Sequence, residues 1–221
     1  MSTFLSVEVV VPTRNPGALW SHWCGAFGAQ QTVVSGLVVD SSSDDGTDFT
    51  SPLDSLRILK IPTADFNHGD TRNLALSNLA INTEVVVFMT QDALLAEPHA
   101  LSRLVSVFAD HSVACAYGRQ LPHVDASPVA AHARLFNYSD VSRTVSLDDK
   151  AHLGLKACFL SNSFAAYRVA DLQTVGGFPS DVILGEDMYV AARLLMAGKR
   201  VAYVADACVH HSHNYSVLQE F

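Results

Sequence analysis

Val7-Glu8-Val9-Val10-Val11-Pro12-Thr13 is a short apolar run closed by a proline, and Val38-Val39-Asp40-Ser41 closes a second run with polar residues. Short apolar runs of this kind mark strands buried on both faces, as parallel strands are. Reading outward, Asn15-Pro16 supplies an N-cap and a proline at the first helical position of a helix over Ala18–Gln30. Val33–Val39 is the second strand, broken by Gly36, and Ser41–Asp48 is a polar loop. Leu56–Ile61 is a third strand, Thr71–Ile81 a helix and Val85–Met89 a fourth strand. Glu97-Pro98 opens a helix to Asp110, and Val113–Tyr117 is a fifth strand. Strands alternating with helices predict an α/β fold with a doubly wound, mostly parallel central sheet flanked by helices. The second half is less regular. Pro122–Pro128 reads as a loop, His132–Lys150 as a mobile stretch, Ser163–Tyr167 as a strand and Gly176–Pro179 as a turn. Glu186–Ala197 has helical spacing with Gly198 as its stop, and Val201–Val204 is a final strand. No linker divides the chain, so residues 1–221 read as one domain.

Composition narrows the function. Of 221 residues, 49% are hydrophobic and 16% charged, which predicts a buried core rather than disorder. The net charge of −8 excludes nucleic acid as a partner and argues against polybasic membrane docking. Cys24, Cys115, Cys158 and Cys208 form no C-x-x-C pair, which removes zinc-finger and redox-motif readings. Cys115 and Cys208 read as buried thiols, and a reducing compartment is expected. No apolar run reaches the ~18 residues of a membrane span, and no secretory signal is expected at the N-terminus.

In a doubly wound sheet, ligands bind beyond the carboxyl ends of the strands. Thr13, Asp40, the stretch Asp65 to Asn73, and Gln91-Asp92 all fall there. Pro12–Gly17 lacks the G-x-G-x-x-G of dinucleotide-binding folds. Asp40 can accept the imino N–H of uracil or thymine; it is equally the first acid of a turn, Asp-Ser-Ser-Ser-Asp-Asp-Gly. Arg72 sits in the first turn of its helix, where a cation opposes the macrodipole. It therefore suits a diphosphate, with a pairing to Asp70 as the alternative. Gly69, after His68, would let backbone approach a ligand closely. Asp92 suits Mg²⁺ or Mn²⁺, although its neighbour Gln91 is neutral and Asp92 also reads as a turn acid. His211 and His213 face one side of an extended segment and could complete a metal shell. Gly185-Glu186-Asp187 opens a helix, where two acids either serve the dipole or supply a carboxylate that takes a proton from a sugar hydroxyl. Arg193, six residues beyond Asp187, is off the i, i+4 ladder.

Together, Phe66-Asn67-His68-Gly69-Asp70-Thr71-Arg72-Asn73, Thr90-Gln91-Asp92-Ala93, Gly185-Glu186-Asp187 and His211-Ser212-His213-Asn214-Tyr215-Ser216 resemble the family 2 glycosyltransferases of GT-A fold. Within that family the chain is similar to bacterial rhamnosyltransferases that use dTDP-L-rhamnose. The resemblance implies that Pro12, Thr13, Asp40 and Ser42 line the nucleoside pocket. His68, Gly69, Arg72 and Gln91 would face the donor, with Arg72 on its diphosphate. Asp92 matches the metal-binding acid of the family's D-x-D motif, with Gln91 in place of the first acid; His211 or His213 would be the C-terminal ligand of a divalent cation, Mg²⁺ or Mn²⁺. Asp187 matches the general base, and Glu186 would touch the acceptor or orient the base. Ser161-Asn162-Ser163 and Gly176-Gly177-Phe178 match stretches on the acceptor side. Residues 1–118 would form the nucleotide-sugar half and 119–221 the acceptor and catalytic half. The implied activity is inverting transfer from a dTDP- or UDP-linked sugar, with L-rhamnose expected, to a glycan or lipid-linked saccharide in bacterial surface polysaccharide synthesis. A cytoplasmic location follows, with peripheral association at the inner face of the plasma membrane and the oligomeric state left open. Similar rhamnosyltransferases continue past Gln219-Glu220-Phe221, so a short relative or a truncated chain is expected. Two other readings stand beside this one. Gln91 and the short C-terminus motivate a non-catalytic sugar-nucleotide or glycan-binding module. A sugar-phosphate nucleotidyltransferase would want a more basic, Gly-rich loop than Pro12–Gly17.

Overall fold

A computed structural model describes residues 5–213 apart from 33, 50–52 and 183. The elements run β1 (Val7–Thr13), α1 (Leu19–Gly28), β2 (Ser35–Asp40), β3 (Leu56–Lys60), α2 (His68–Ser77), β4 (Val85–Met89), β5 (Leu94–Leu95), α3 (Ala100–Ser106), β6 (Val113–Leu121), α4 (Pro128–Asn137), β7 (Arg143–Val145), α5 (Lys150–Leu153), β8 (Phe164–Arg168), α6 (Val169–Thr174), α7 (Glu186–Met196) and β9 (Arg200–His210). One nine-stranded sheet holds every strand, in the order β3-β2-β1-β4-β8-β6-β9-β5, with β7 paired to β9. β1, β2, β3 and β4 pair in parallel, as do β6 and β9. β8 is antiparallel between β4 and β6, and short β5 and β7 run antiparallel to β9.

The apolar runs are buried from both sides, as their composition requires. Val9 and Val11 of β1 and Val87 of β4 pack into one core with Trp20, Trp23, Phe27 and Leu101. Val10 of β1 and Val86 and Phe88 of β4 pack into the other with Tyr167, Phe178 and Leu194. Glu8 interrupts the first run and is fully buried, yet its carboxylate is matched by Arg57 at 2.7 Å and by the Ala80 N–H at 2.6 Å. A buried charge is tolerated when paired and hydrogen-bonded in this way.

Several local expectations are corrected. Asn15 does not cap α1, whose N-cap is Ala18. Asn15 has φ +47° and exchanges side-chain hydrogen bonds with Asp44, pinning the polar loop after β2 to the end of β1. α2 starts at His68 rather than Thr71, because Asn67 caps it by accepting from the Gly69 and Asp70 N–H groups. His132–Lys150 is ordered: Ser127 caps α4 with Pro128 in its first turn, and β7 follows. Cys208 is only half-buried, whereas Cys115 is fully buried. β6 and β9 run well past their apolar centres, to Leu121 and His210. The expected strand start Val33, the motif residues Asn214–Ser216 and the terminal Gln219–Phe221 lie outside the described residues.

Gly118 sits at the register shift between β6 and β9. A Cβ there would collide with the Ala207 carbonyl oxygen and the Phe164 ring. Gly118→Ala is therefore expected to lose about 1–3 kcal/mol of stability by overpacking, read as a lower urea midpoint.

Candidate functional site

The carboxyl ends of β1, β2 and β4 open on a cleft of about 330 Å³ lined by Pro12, Thr13, Arg14, Ser41, Thr63, Phe66, Thr90 and Gln91. Gln91 ties two of those ends together. Its Oε1 accepts from the Thr13 hydroxyl and, at 2.8 Å, from the Arg14 N–H, and its Nε2 donates to the Arg14 carbonyl at 3.1 Å. Asp40, next to Ser41 at the end of β2, is 1% exposed, and its Oδ1 accepts from the Ser43 N–H and hydroxyl. Ser42 is exposed at φ +57° and donates its hydroxyl to the Ile61 carbonyl. Arg14, Thr63 and Phe66 border the cleft although sequence reading gave them no role; the Phe66 ring meets the exposed His68 ring edge-on at 5.0 Å.

The stretch Asn67–Asn73 has a different task from the one expected. Arg72 lies in the second turn of α2 and is 5% exposed. Its Nη1 donates to Glu186 Oε1 at 2.6 Å and to the His68 carbonyl at 3.0 Å. Its guanidinium carbon lies 6.0 Å from the Phe88 ring centre and 5.8 Å from that of Phe178. Arg72 is thus engaged by a buried carboxylate and two aromatic faces, and its ion pair is with Glu186 rather than Asp70. Glu186, 6% exposed, is correspondingly engaged by Arg72. Gly69 makes room for protein rather than ligand, since a Cβ there would overlap the Pro179 carbonyl oxygen. Asn73 accepts from the Phe178 N–H and donates to the Phe178 carbonyl, at 2.9 and 2.7 Å, and Asn67 donates to the Ser180 carbonyl. The start of α2 therefore grips residues 178–180 and, through Arg72, Glu186 at the start of α7.

Asp187 follows Glu186 in the first turn of α7, entered through Gly185 at φ +84°. Its Oδ2 accepts from the Asn162 N–H at 3.1 Å and its Oδ1 from the Met188 N–H at 2.8 Å. Burial, reinforced by the neighbouring Glu186 charge, pushes the Asp187 carboxyl above its ordinary value, against the pull of the two N–H groups and of Arg72. A carboxylate so placed holds a proton more tightly than a solvated one.

Asp92, His211 and His213 converge, with one ligand atom from each lying within 4.8 Å of the others. Strand register brings them there. Leu94 pairs antiparallel with His210, so extending the pairing by two residues sets Asp92 opposite the stretch 211–213. His211 Nε2 lies 3.4 Å from Asp92 Oδ1, and His213 Nδ1 lies 3.7 Å from Asp92 Oδ2. Burial alone would raise the Asp92 carboxyl, but the hydrogen bond and charge of His211, with Thr90 and His213, hold it far below the usual carboxylate range. His211 Nδ1 is engaged by Gln120 Oε1 at 2.9 Å, so Nε2 turns a lone pair toward the carboxylate unless a proton or a cation lies between. That donor set, one carboxylate and two imidazoles, fits a divalent cation. Gln120, 2% exposed, also donates to the Ser161 hydroxyl at 3.1 Å. The sequence reading missed it because it lies beyond the apolar run that announced β6. A second cleft of about 420 Å³ borders Asp92, His123 and His213.

A bonded path therefore joins the two reactive clusters. It runs from Asp92 to His211, Gln120 and Ser161, and the next residue, Asn162, binds Asp187. Pro12, Thr13 and Gln91 share the neighbouring cleft. Arg72, Glu186 and Gly69 stand behind Asp187 as its support.

A family profile described as "Glycosyltransferase like family 2" matches residues 33–220. O-antigen chain rhamnosyltransferase RfbN of Salmonella typhimurium is 46% identical over 220 residues, covering 98% of this chain and 69% of that protein. Among solved structures, the mannosyltransferase PcManGT from Pyrobaculum calidifontis in complex with GDP-Man and Mn²⁺ superposes with a TM-score of 0.70 at 23% identity, over 95% of this chain and 58% of that one. TarS 1-349 of S. aureus in complex with UDP-GlcNAc gives 0.73 at 18% identity, over 96% and 60%. This chain thus spans less than two thirds of those two structures. Both likenesses show the GT-A fold.

Two outcomes follow from this geometry. Arg72→Met leaves Glu186 buried without a partner and is expected to cost about 3–5 kcal/mol. Arg72→Met with Glu186→Gln should recover part of that loss, and additive losses in a denaturation cycle would contradict the pairing. Gln120→Leu frees the His211 ring and should weaken Mn²⁺ binding about 10–100-fold by calorimetry.

Proposed function

The chain belongs to the family 2 glycosyltransferases, and on that premise we propose that it transfers L-rhamnose from a dTDP- or UDP-linked donor to a hydroxyl of a glycan or lipid-linked saccharide in O-antigen synthesis, with inversion. The observation that carries this reading is the bonded path from the Asp92–His211–His213 cluster to Asp187. It links the side chains we assign to a divalent cation with the carboxylate we assign as the base. The 46% identity to a named O-antigen chain rhamnosyltransferase supports the sugar and the pathway.

Asp187 removes the proton from the acceptor hydroxyl as that oxygen attacks the anomeric carbon. Its raised proton affinity suits it to this, and Asn162 and Met188 hold both oxygens in place. Asp92, His211 and His213 would hold Mg²⁺ or Mn²⁺, whose charge offsets that developing on the leaving diphosphate. Arg14, exposed at the cleft, takes over from Arg72 as the side chain we assign to the donor phosphates. Pro12, Thr13 and Gln91 shape the nucleoside end, and Asp40, with one oxygen held by Ser43, reads the pyrimidine imino group. We assign residues 1–118 to the donor and 119–221 to the acceptor and base. The nucleotidyltransferase and binding-module alternatives have no such path in their favour.

A cytoplasmic location belongs to the same proposal, supported by four cysteines without disulfides. Among the described residues no helix is long and apolar enough to cross a membrane.

Asp187→Asn tests the assignment. Transfer should fall about 10²–10⁴-fold while donor affinity is kept; near-normal turnover would reject Asp187 as the base. Because its folded pKa is raised above 3.8, Asp187 adds stability below that value and loses it as pH rises through the raised value. At neutral pH, removing the charge offsets the one N–H acceptor lost, so the variant should stay within about 1 kcal/mol of the parent in stability. The same shift places the acid limb of kcat/KM above pH 3.8 in the parent enzyme.

A further inference from the structure

Tyr167 is a buried phenol to which the transfer chemistry above gives no part. It lies in β8, paired with Val86 of β4 on one side and Cys115 of β6 on the other, so both neighbouring strands fix its backbone. Its ring is fully buried and stands edge-on to Phe88 at 5.9 Å and to Phe178 at 5.5 Å, the two rings that flank the Arg72 guanidinium. Its hydroxyl leaves this apolar cluster and donates to Asn162 Oδ1 at 2.7 Å. Asn162 in turn donates its backbone N–H to Asp187 Oδ2 at 3.1 Å. Two hydrogen bonds therefore lead from the middle of the sheet to the carboxylate.

Any residue but proline offers an N–H at position 162, so the bond to Asp187 does not account for an amide side chain there. Asn162 is 2% exposed, and its Nδ2 has no hydrogen-bond partner. An amide buried with its donor unmatched is unfavourable, and an apolar side chain would avoid that cost. What the amide gains is the bond from Tyr167, which pins the turn between Ser161 and Phe164 to a strand inside the sheet. Met188 cannot supply such an anchor. Its N–H binds Asp187 Oδ1 at 2.8 Å, but it is the next residue in the chain and moves with Asp187. Of the two bonds, only that from Asn162 ties the carboxylate to another element.

On the reading of Asp187 as the base, we infer that Tyr167 is a positioning residue for it: the phenol hydroxyl, acting through Asn162, fixes the N–H that holds Asp187 Oδ2. The phenol acts by this bond and not by charge. Burial above all, with Cys115, Asp187 and Glu186 adding to it and Arg72 opposing, lifts the Tyr167 hydroxyl well above its ordinary value, so it stays neutral. Tyr138, the other phenol that feels the Asp187 charge, is held neutral by burial as well. The proton affinity of Asp187 is raised by burial and by Glu186, and lowered by the Asn162 and Met188 N–H groups and by Arg72. Loosening the Asn162 bond therefore raises it further.

Tyr167→Phe tests this, because it keeps the ring and removes the hydroxyl. The Asp187 carboxyl is titrated by NMR, through the carboxyl carbon resonance that Asp187→Asn deletes. Its midpoint should lie about 0.5–1 pH unit higher in Tyr167→Phe than in the parent. The acid limb of kcat/KM should move up with it, and kcat should fall about 3–10-fold while KM for the donor is unchanged. Asn162→Ala keeps the N–H and loses the amide that Tyr167 holds. It should give the same raised midpoint, and adding Tyr167→Phe to it should change neither midpoint nor kcat further. A midpoint that stays in place in both variants, or losses in kcat that add in the double variant, would overturn the inference. So would a lower melting temperature with the midpoint unmoved, which would make the hydroxyl a packing feature only. If the parent transfers no sugar, the transfer reading fails, whereas the titration still decides whether Tyr167 positions Asp187.

Discussion

The buried pair of Arg72 and Glu186 is the contact on which the start of α7, and with it Asp187, depends. Two opposite charges leave water at 5% and 6% exposure, which is unfavourable unless they are paired. Here the compensation is a 2.6 Å contact, a carbonyl from His68, and the rings of Phe88 and Phe178 beside the guanidinium, with Arg72 Nε left without a hydrogen-bond partner. Phe88 belongs to β4 and Phe178 to the segment before α7, so the pair joins the sheet, α2 and α7 at one point. Asn73 and Asn67 add backbone bonds to Phe178 and Ser180, and Gly69 lets the chain at Pro179 lie directly on α2. The direction in which α7 begins, and with it the position of Asp187, follows from these contacts.

From that fixed point two carboxylates acquire opposite characters. Asp187 has lost water and stands beside another acid, so its proton is held tightly. Asp92 has also lost water, but two imidazoles and Thr90 more than offset the loss, so its charge is kept. On the reading proposed above, environments that drive two acids apart in this way suit one to proton transfer and the other to a cation. The path through Gln120 and Ser161 connects the two through hydrogen bonds and one peptide link.

Much of this was legible in the sequence where the signal was local. Val7–Thr13, Ser35–Asp40 and Val85–Met89 are apolar runs with polar ends, and each became a buried strand with polar residues just beyond. His211 and His213 were legible because alternation in an extended segment is a property of two residues alone. Arg72 was not. Its place in a helix suggested an anion, which was right, but that anion is a glutamate 114 residues away, brought near only by the packing of α7 on the sheet. Gln120 and the far half of β9 were hidden for a related reason. Apolar burial announces the middle of a strand, whereas the ends that build a site are polar and gain their structure from hydrogen-bonding neighbours. α4 was obscured by its own composition, since only Ala130 is buried and its apolar side chains Val129, Leu135 and Phe136 face outward.

Gln91 shows how one substitution changes the electrostatics of the whole rim. A carboxylate at this position could accept from Thr13 and the Arg14 N–H, but it could not donate to the Arg14 carbonyl, as the amide does. Glutamine therefore closes a reciprocal pair of hydrogen bonds with the backbone of residue 14 and locks the loop after β1 against the end of β4. The charge it omits must be reckoned at the candidate cation cluster, which has the single carboxylate of Asp92 and two imidazoles. A divalent ion held by one negative charge keeps a net positive charge for its remaining ligands, and a donor diphosphate is the anion that such a cluster would attract most strongly. Imidazole-rich coordination also favours Mn²⁺ over Mg²⁺, which prefers oxygen ligands. On the proposed reading, an amide in place of an acid strengthens the frame of the cleft and would shift the burden of holding an ion from the protein's own charge to that of its substrate.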